Sequence, residues 1–258
     1  MPAKLSPQNI SSVDEIAPES PRLVPIISYP SYSAGEYSER IAEMKSLGVT
    51  ALIIGNGRST VNGISIAGKG WVGLVLKARI GGRTCALKIR RVDADRKDME
   101  AEARIHVMAN HAGVGPALFG HTKNIIAMEF AQGQTIAEWI RSAPAADARR
   151  VAGSIIQQCR LLDKAGIDHG ELSRLGRHVI VTDKMPFIID FESASTLRKT
   201  SNVTAAVQSL FLFGAIAGFM KKMMQVDNAR TIGALREYKE GRTDEGFARV
   251  METLPLDY

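Results

Sequence analysis

The stretch GIDHGELSRLGRHVIVTDKMPFIIDFE, residues 166–192, decides how this chain is read. A His-Gly-acid triplet, His169-Gly170-Glu171, follows the end of a helix. A short apolar run, His178-Val179-Ile180-Val181, leads through a turn with Asp183 and Pro186 into a second run, Phe187-Ile188-Ile189. That second run ends in Asp190-Phe191-Glu192. Two short strands joined by a turn, each with ionisable residues at one end, can hold a reacting hydroxyl beside a metal ion.

Working outward, residues 134–140 and 146–165 read as helices. The second carries Val151, Ile155, Leu161 and Leu162 and is stopped by Gly166. Before them come two strands, Leu118 to Gly120 and Asn124 to Phe130, and a helix over 97–110 with Ala101, Ile105, Met108 and Ala112 on one stripe. Earlier still stands Gly68-Lys69-Gly70-Trp71-Val72-Gly73, followed by the apolar run Leu74 to Ala78, the turn Gly81-Gly82 and the run Thr84 to Ile89. A dinucleotide-binding unit would place a helix after these glycines. A strand follows here instead, with Lys88 in the next strand, 15 residues after Gly73. Such a hairpin lets backbone amides approach phosphate oxygens, with the Lys as a point charge on them. Taken alone, a plain Gly-rich hairpin with a solvated Lys explains the pattern equally well.

At the outer ends the chain is less patterned. Residues 1–31 hold six prolines among Ser and Asn and read as an extension, partly flexible or draped over the domain. A helix is expected from Ser33 to Leu47 and a strand from Thr50 to Ile54, with a further strand beginning at Val61. After Glu192 only 66 residues remain. They contain an uncharged run, Val203 to Met220, expected as one buried helix with Leu210, Phe211 and Phe213 inside, and two helices near 227–240 and 243–253.

The chain has 258 residues, 45% hydrophobic and 23% charged, with a net charge of +6. That suits one two-lobed domain and anionic partners. With 6% aromatics, direct nucleic-acid binding is not expected. Cys85 and Cys159 show no metal or disulfide spacing, which fits a reducing cytosol, and the polar start carries no apolar signal core. The 203–220 run sits at the lower edge of membrane-spanning length but contains Thr204, Gln208 and Ser209, so no membrane association is expected.

Taken together, the glycine hairpin, Ala86-Leu87-Lys88, a helical Glu, His-Gly-acid and Asp-Phe resemble, in order and spacing, the protein-kinase-like fold over about residues 60–225. His-Gly in place of His-Arg, the segment Gly113-Val114-Gly115-Pro116 and the short C-terminal region resemble the small atypical kinases of archaeal type, the RIO family and the small kinase of the KEOPS complex. The resemblance implies an α+β, bilobal protein-kinase-like fold. An extension (1–31) would precede a β-rich N-lobe (32–127) of five strands and a short, mainly helical C-lobe (128–258). It implies an ATP-dependent serine/threonine protein kinase, acting on a protein substrate, a ribonucleoprotein or itself, or serving as an ATPase switch in the cytoplasm.

The same resemblance assigns residues to ATP and to Mg²⁺ or Mn²⁺. Gly68, Lys69, Gly70 and Gly73 would cover the phosphates, and Lys88 would contact them. Glu102, preferred over Glu100, would pair with Lys88. The Glu129 carbonyl and Ala131 amide would hold adenine, Asp190 the metal, and Glu171 the acceptor hydroxyl. Three positions depart from the family pattern. Glu171 stands for the catalytic Asp, and its extra methylene moves the carboxylate by over about an ångström, enough to cost roughly a hundredfold in rate. His178 stands for the metal-binding Asn and suits Mn²⁺ better than Mg²⁺. Glu192 stands for the glycine after Asp-Phe. Asp168, beside His169, is a further spare carboxylate and reads first as a turn residue. These departures leave a second reading open, a nucleotide-binding pseudokinase acting as an interaction module.

Overall fold

A computed structural model describes residues 14–55 and 57–256. The chain divides into two units. One runs up to Ala103 and includes Leu118–Phe130; the other is formed by Arg104–Ala117 and the chain from Ala131 onward. The fold is mixed α+β, with strands dominating the first unit and helices the second.

The first unit is built on a sheet of seven strands: β1 (Asp14–Ile16), β2 (Val49–Ile54), β5 (Gly68–Lys69), β6 (Gly73–Ile80), β7 (Arg83–Arg90), β8 (Leu118–His121) and β9 (Ile125–Glu129). Its order is β1-β2-β6-β7-β9-β8, with β5 paired to β6, and a separate hairpin joins β3 (Ser59–Val61) to β4 (Ile64–Ile66). The sheet therefore exceeds the five strands expected. In β6 the alternation is regular: Leu74, Leu76 and Ala78 are buried, while Val75 and Lys77 on the other face are only partly so. β7 is different, because every residue from Cys85 to Arg90 is buried, so both of its faces are covered. A charged Lys88 in such a strand must be paired to be tolerated.

Two helices pack on this sheet's core, α1 (Val24–Ile27) and α2 (Ala34–Ser46). Ser33 caps α2 by accepting from the Glu36 amide, and Ile41 and Met44 face inward. Arg40 is fully buried on the same helix, where it meets the Glu36 carboxylate and donates to the Arg90 carbonyl at 3.0 Å. The described part of the extension, from Asp14, is draped over this unit, one of the two forms expected of it. β1 pairs antiparallel with β2, and Leu23, Ile26 and Ile27 are buried in the sheet's core. Residues 1–13 of that extension lie outside the described residues.

The second unit begins within α3 (Glu100–His111), after Ala103. It continues through β10 (Gly133–Thr135), α4 (Ile136–Trp139), α5 (Ala145–Lys164), α6 (Leu175–His178), β11 (Val179–Thr182) and β12 (Pro186–Ile188). A small sheet of order β10-β11-β12 carries the hairpin read from the sequence. The expected helix over 134–140 starts later because 133–135 pair with β11. Thr135 and Glu138 then form a capping box that starts α4.

The uncharged run is not one helix. It comprises α7 (Asn202–Val207), a π-helical turn Gln208–Leu212 and α8 (Gly214–Met223), bent by 60° at Phe213. Val203, Val207, Leu210 and Phe211 are buried in one core with Ile155, Ile156 and Leu162 of α5. Phe213 was expected inside but is 62% exposed, because the chain turns extended there and leaves the helical register. Among the described residues no single helix is long and apolar enough to cross a membrane; this bent pair has the length and composition only when its two parts are taken together. The helices α9 (Asn228–Gly241) and α10 (Asp244–Glu252) complete the unit.

Candidate functional site

In the first unit, the Gly68–Gly73 segment makes a tight hairpin. The Gly70 amide donates to the Gly73 carbonyl at 2.8 Å, and Trp71 at the tip is 91% exposed. Packing alone already requires a glycine at Gly73. A Cβ there would lie 2.9 Å from the Ile89 carbonyl oxygen and 3.2 Å from Lys88 Cγ, so any side chain would push the Lys88 strand away. β6 and β7 pair so that Val75 lies opposite Lys88. Lys88 Nζ donates to Glu102 Oε1 at 2.8 Å, and both side chains are buried. Glu102 Oε2 also lies 3.6 Å from Arg96 Nη1. Glu100 is exposed and its amide is capped by Asp98, so of the two acids weighed as partners only Glu102 meets Lys88. Lys69 is turned to Tyr29, donating to its hydroxyl at 2.7 Å. Glu129 ends β9 in register with Cys85, its side chain exposed, and the chain passes into the second unit between Phe130 and Ala131.

In the second unit, α6 and the β11–β12 hairpin gather three of the remaining candidates. The Ile189 amide donates to the His178 carbonyl at 2.9 Å, which closes the hairpin's open end. His178 thereby stands between two carboxylates, Nδ1 at 3.9 Å from Asp190 Oδ2 and Nε2 at 4.0 Å from Glu171 Oε2. Glu171 Oε1 accepts from the Ser193 hydroxyl at 3.3 Å, and Arg174 lies 3.6 Å from its other oxygen. Asp190 sits in the left-handed region, with φ of 70°, which short polar side chains adopt more readily than others do. That conformation turns its carboxylate outward, 38% exposed, while the next residue, Phe191, is buried.

Phe191 is held between two imidazoles, 5.1 Å from the His106 ring and 5.5 Å from the His169 ring. His106 donates through Nε2 to the Pro116 carbonyl at 2.8 Å. His169 is fully buried and donates through Nε2 to the Ile189 carbonyl at 3.1 Å, leaving Nδ1 without a hydrogen-bond partner. Burial drives its pKa down to about 4 from 6.5, outweighing the hydrogen bond to Ile189. A folded value below the unfolded one means that the unfolded chain binds the proton first as the pH falls. His169 therefore leaves stability intact above pH 6.5 and removes it progressively down to about pH 4. We expect that loss to be on the order of 3 kcal/mol. Urea unfolding of parent and His169→Gln at several pH values checks it. The parent should lose more stability than the variant between pH 6.5 and 4, and parallel curves would contradict the assignment.

Residues that no spacing pointed to hold this loop in place. Asp168, expected as a turn residue, is buried and pairs through its backbone with Ser195. Its carboxylate accepts from Arg198 Nε at 3.0 Å and from the Ser201 amide and hydroxyl, both at 3.1 Å. Gly170 is compelled by this packing: its φ is +83°, and a Cβ would lie 2.6 Å from Arg198 Nη2 and 2.8 Å from the Ser193 carbonyl oxygen. Asn202 accepts from the His169 amide at 2.9 Å and donates to the Ile167 carbonyl at 2.6 Å. Asp163 on α5 in turn accepts from Asn202 and from the Tyr238 hydroxyl, at 2.8 and 2.7 Å. Burial beside the Asp163 carboxylate raises the Tyr238 pKa well above its usual value. Both cysteines are buried with raised pKa values, which suits packing and not nucleophilic chemistry.

The donor set fits a hard divalent cation. Asp190 and Glu192 each offer a carboxylate oxygen, and the two lie within 4.8 Å of one another. The imidazole of His178 beside Asp190 adds a nitrogen donor of the kind Mn²⁺ accepts.

This fold, with a buried Lys–Glu pair on a strand after a glycine hairpin and an acid-bearing β-hairpin after His-Gly-Glu, belongs to the kinase-like class, and the chain is a member of the RIO family: residues 79–204 match the RIO domain. A stretch of 99 residues is 31% identical to an uncharacterized protein of Methanocaldococcus jannaschii, covering 38% of this chain and 84% of that protein. The RIO match runs from β6 into α7 and takes in Lys88, Glu102, Glu129, Ala131, Glu171, His178 and Asp190, while Gly68 to Gly73 lie before it. RIO-type proteins are kinase-like phosphotransferases as a family and generally use ATP and a divalent metal.

Proposed function

We propose that this chain is an ATP-dependent atypical serine/threonine protein kinase. It would transfer the γ-phosphoryl group to a hydroxyl of a protein substrate or of itself, or to water as an ATPase switch. Lys88, braced by Glu102, would hold the α- and β-phosphates, with the Gly68–Gly73 hairpin over them. The Glu129 carbonyl and Ala131 amide would hold adenine. Asp190 would hold Mg²⁺ or Mn²⁺ with Glu192 or His178 beside it, and Glu171 would orient the acceptor hydroxyl. The partner would be a protein, either a ribonucleoprotein component or another copy of the chain, in the cytoplasm.

The observation that carries this reading is the buried ion pair between Lys88 and Glu102 at 2.8 Å. A buried pair contributes little net stability against apolar residues of the same volume, so its presence speaks for a use of the charge. The longer reach of Glu171 is accommodated by Ser193, which meets the end of its carboxylate. The test is Glu171→Gln, which keeps the size and removes the charge. We expect ATP turnover to fall at least about tenfold, the low end for one acid–base group, with ATP affinity unchanged. ATP binding by the parent with no turnover above that of Glu171→Gln would favour a nucleotide-binding interaction module instead.

A further inference from the structure

Tyr29 lies far from every motif in the sequence, yet it meets the glycine-rich hairpin from the side. Its hydroxyl accepts from Lys69 Nζ at 2.7 Å, and the same ammonium lies 4.8 Å from its ring centroid. Arg91 stacks on the ring as well, 5.1 Å away, while its Nη1 donates to the Gly70 carbonyl at 3.2 Å. The Asp93 carboxylate pairs with that guanidinium at 2.6 Å. Two main-chain bonds complete the arrangement: the Arg91 amide donates to Val72 at 2.7 Å, and the Val92 amide to Tyr29 at 3.0 Å.

Within the hairpin itself the hold is short. β5 contributes two residues to the sheet, and the tip is exposed. Tyr29 by contrast is carried on a rigid base, because Leu23, Ile26 and Ile27 just before it are fully buried or nearly so in the core of the first unit. One aromatic ring on that base therefore engages a cation from within the hairpin, Lys69, and a cation that grips the hairpin's backbone, Arg91. A loop whose amides are to meet phosphate oxygens gains most from being held beforehand in the binding geometry.

We infer that Tyr29 is a positioning residue: it fixes the Gly68–Gly73 hairpin through Lys69 and Arg91, so that the hairpin is set for the phosphates of a nucleotide. This rests on the nucleotide-binding reading above. The segment from Leu23 to Tyr29 is then part of the binding apparatus, and Lys69 acts through Tyr29 as an anchor of the hairpin.

The experiment uses the full chain and its Tyr29→Ala and Tyr29→Phe variants, with ATP and adenosine as probes and hydrogen exchange over Gly68–Gly73. Removing the ring should weaken ATP binding about tenfold, and removing the hydroxyl alone about threefold, in keeping with a cation–π contact and one charge-assisted hydrogen bond. Adenosine affinity should not change, because adenosine has no phosphates for the hairpin to meet. In the ligand-free chain, exchange over the hairpin should speed up in the order parent, Tyr29→Phe, Tyr29→Ala. Unchanged ATP affinity in a folded Tyr29→Ala overturns the inference. So does an equal loss for ATP and adenosine, which marks a general structural role. If Tyr29→Ala does not fold, Tyr29→Phe decides, and parent-like exchange and ATP affinity in it overturn the inference. A parent that binds neither probe overturns the nucleotide-binding reading instead, and the exchange order still decides whether Tyr29 holds the hairpin.

Discussion

Lys88→Met lowers ATP affinity by on the order of a hundredfold, the worth of one strong charge-assisted contact to a phosphate. The same substitution does not leave the fold untouched, because Lys88 is buried and bonded to Glu102. Removing one member of a buried ion pair costs about 3 kcal/mol. The two effects separate in the double variant Lys88→Met, Glu102→Gln, which restores much of the stability and none of the affinity. Calorimetric titration with ATP beside urea unfolding reads both. ATP binding of parental strength in the single variant would show that the nucleotide does not use Lys88.

Asp190→Ala lowers phosphoryl transfer by about a hundredfold to a thousandfold, the usual loss when a group placed to stabilise transferring charge is removed. The carboxylate is the partly exposed acid two residues past the β12 strand, near the carboxylate of Glu192 and the imidazole of His178. Alanine at a φ of 70° is itself strained by about 1 kcal/mol, so Asp190→Asn serves as the control that keeps the left-handed conformation and loses the charge. Both variants should lose the metal-dependent part of the rate, and a rate that follows the metal as in the parent would place the ion elsewhere. If His178 helps hold the ion, the parent works better with Mn²⁺ than with Mg²⁺, and His178→Asn reverses that preference.

Much of the fold was legible because local patterns and packing agree in it. The β6–β7 hairpin and the strands on either side of Pro186 announce themselves by turn residues between apolar runs. Where they conflict, the sequence misleads. Leu23, Ile26 and Ile27 sit among prolines, so their burial in the core of the first unit left no periodic trace. Val203 to Met220 is uniformly apolar, and no pattern in such a run shows where the helix breaks. The break comes at Phe213-Gly214 and sends Phe213 outward, to 62% exposure.

The groups proposed to carry chemistry were singled out because each sits beside a local signature: Lys88 after a glycine hairpin, Glu171 after His-Gly, Asp190 before Phe. The groups that hold them have none. Asp168, Ser193, Arg198 and Asn202 act on the His169–Glu171 loop from the segment that follows Phe191, or from the loop's own start, through hydrogen bonds. Such bonds depend on tertiary proximity, and neither spacing nor residue type sets these residues apart from other polar residues in the sequence. Tyr29 is the extreme case, 40 residues from the Lys69 it anchors.

Transfer of the γ-phosphate of ATP by this chain is tested most directly by following γ-labelled ATP with Mg²⁺ or Mn²⁺ over purified parent and Asp190→Ala side by side. Label should appear on protein or as free phosphate in proportion to the amount of parent, and at least about a hundredfold less with the variant. Equal label from both, or none from a parent that binds ATP, would contradict it.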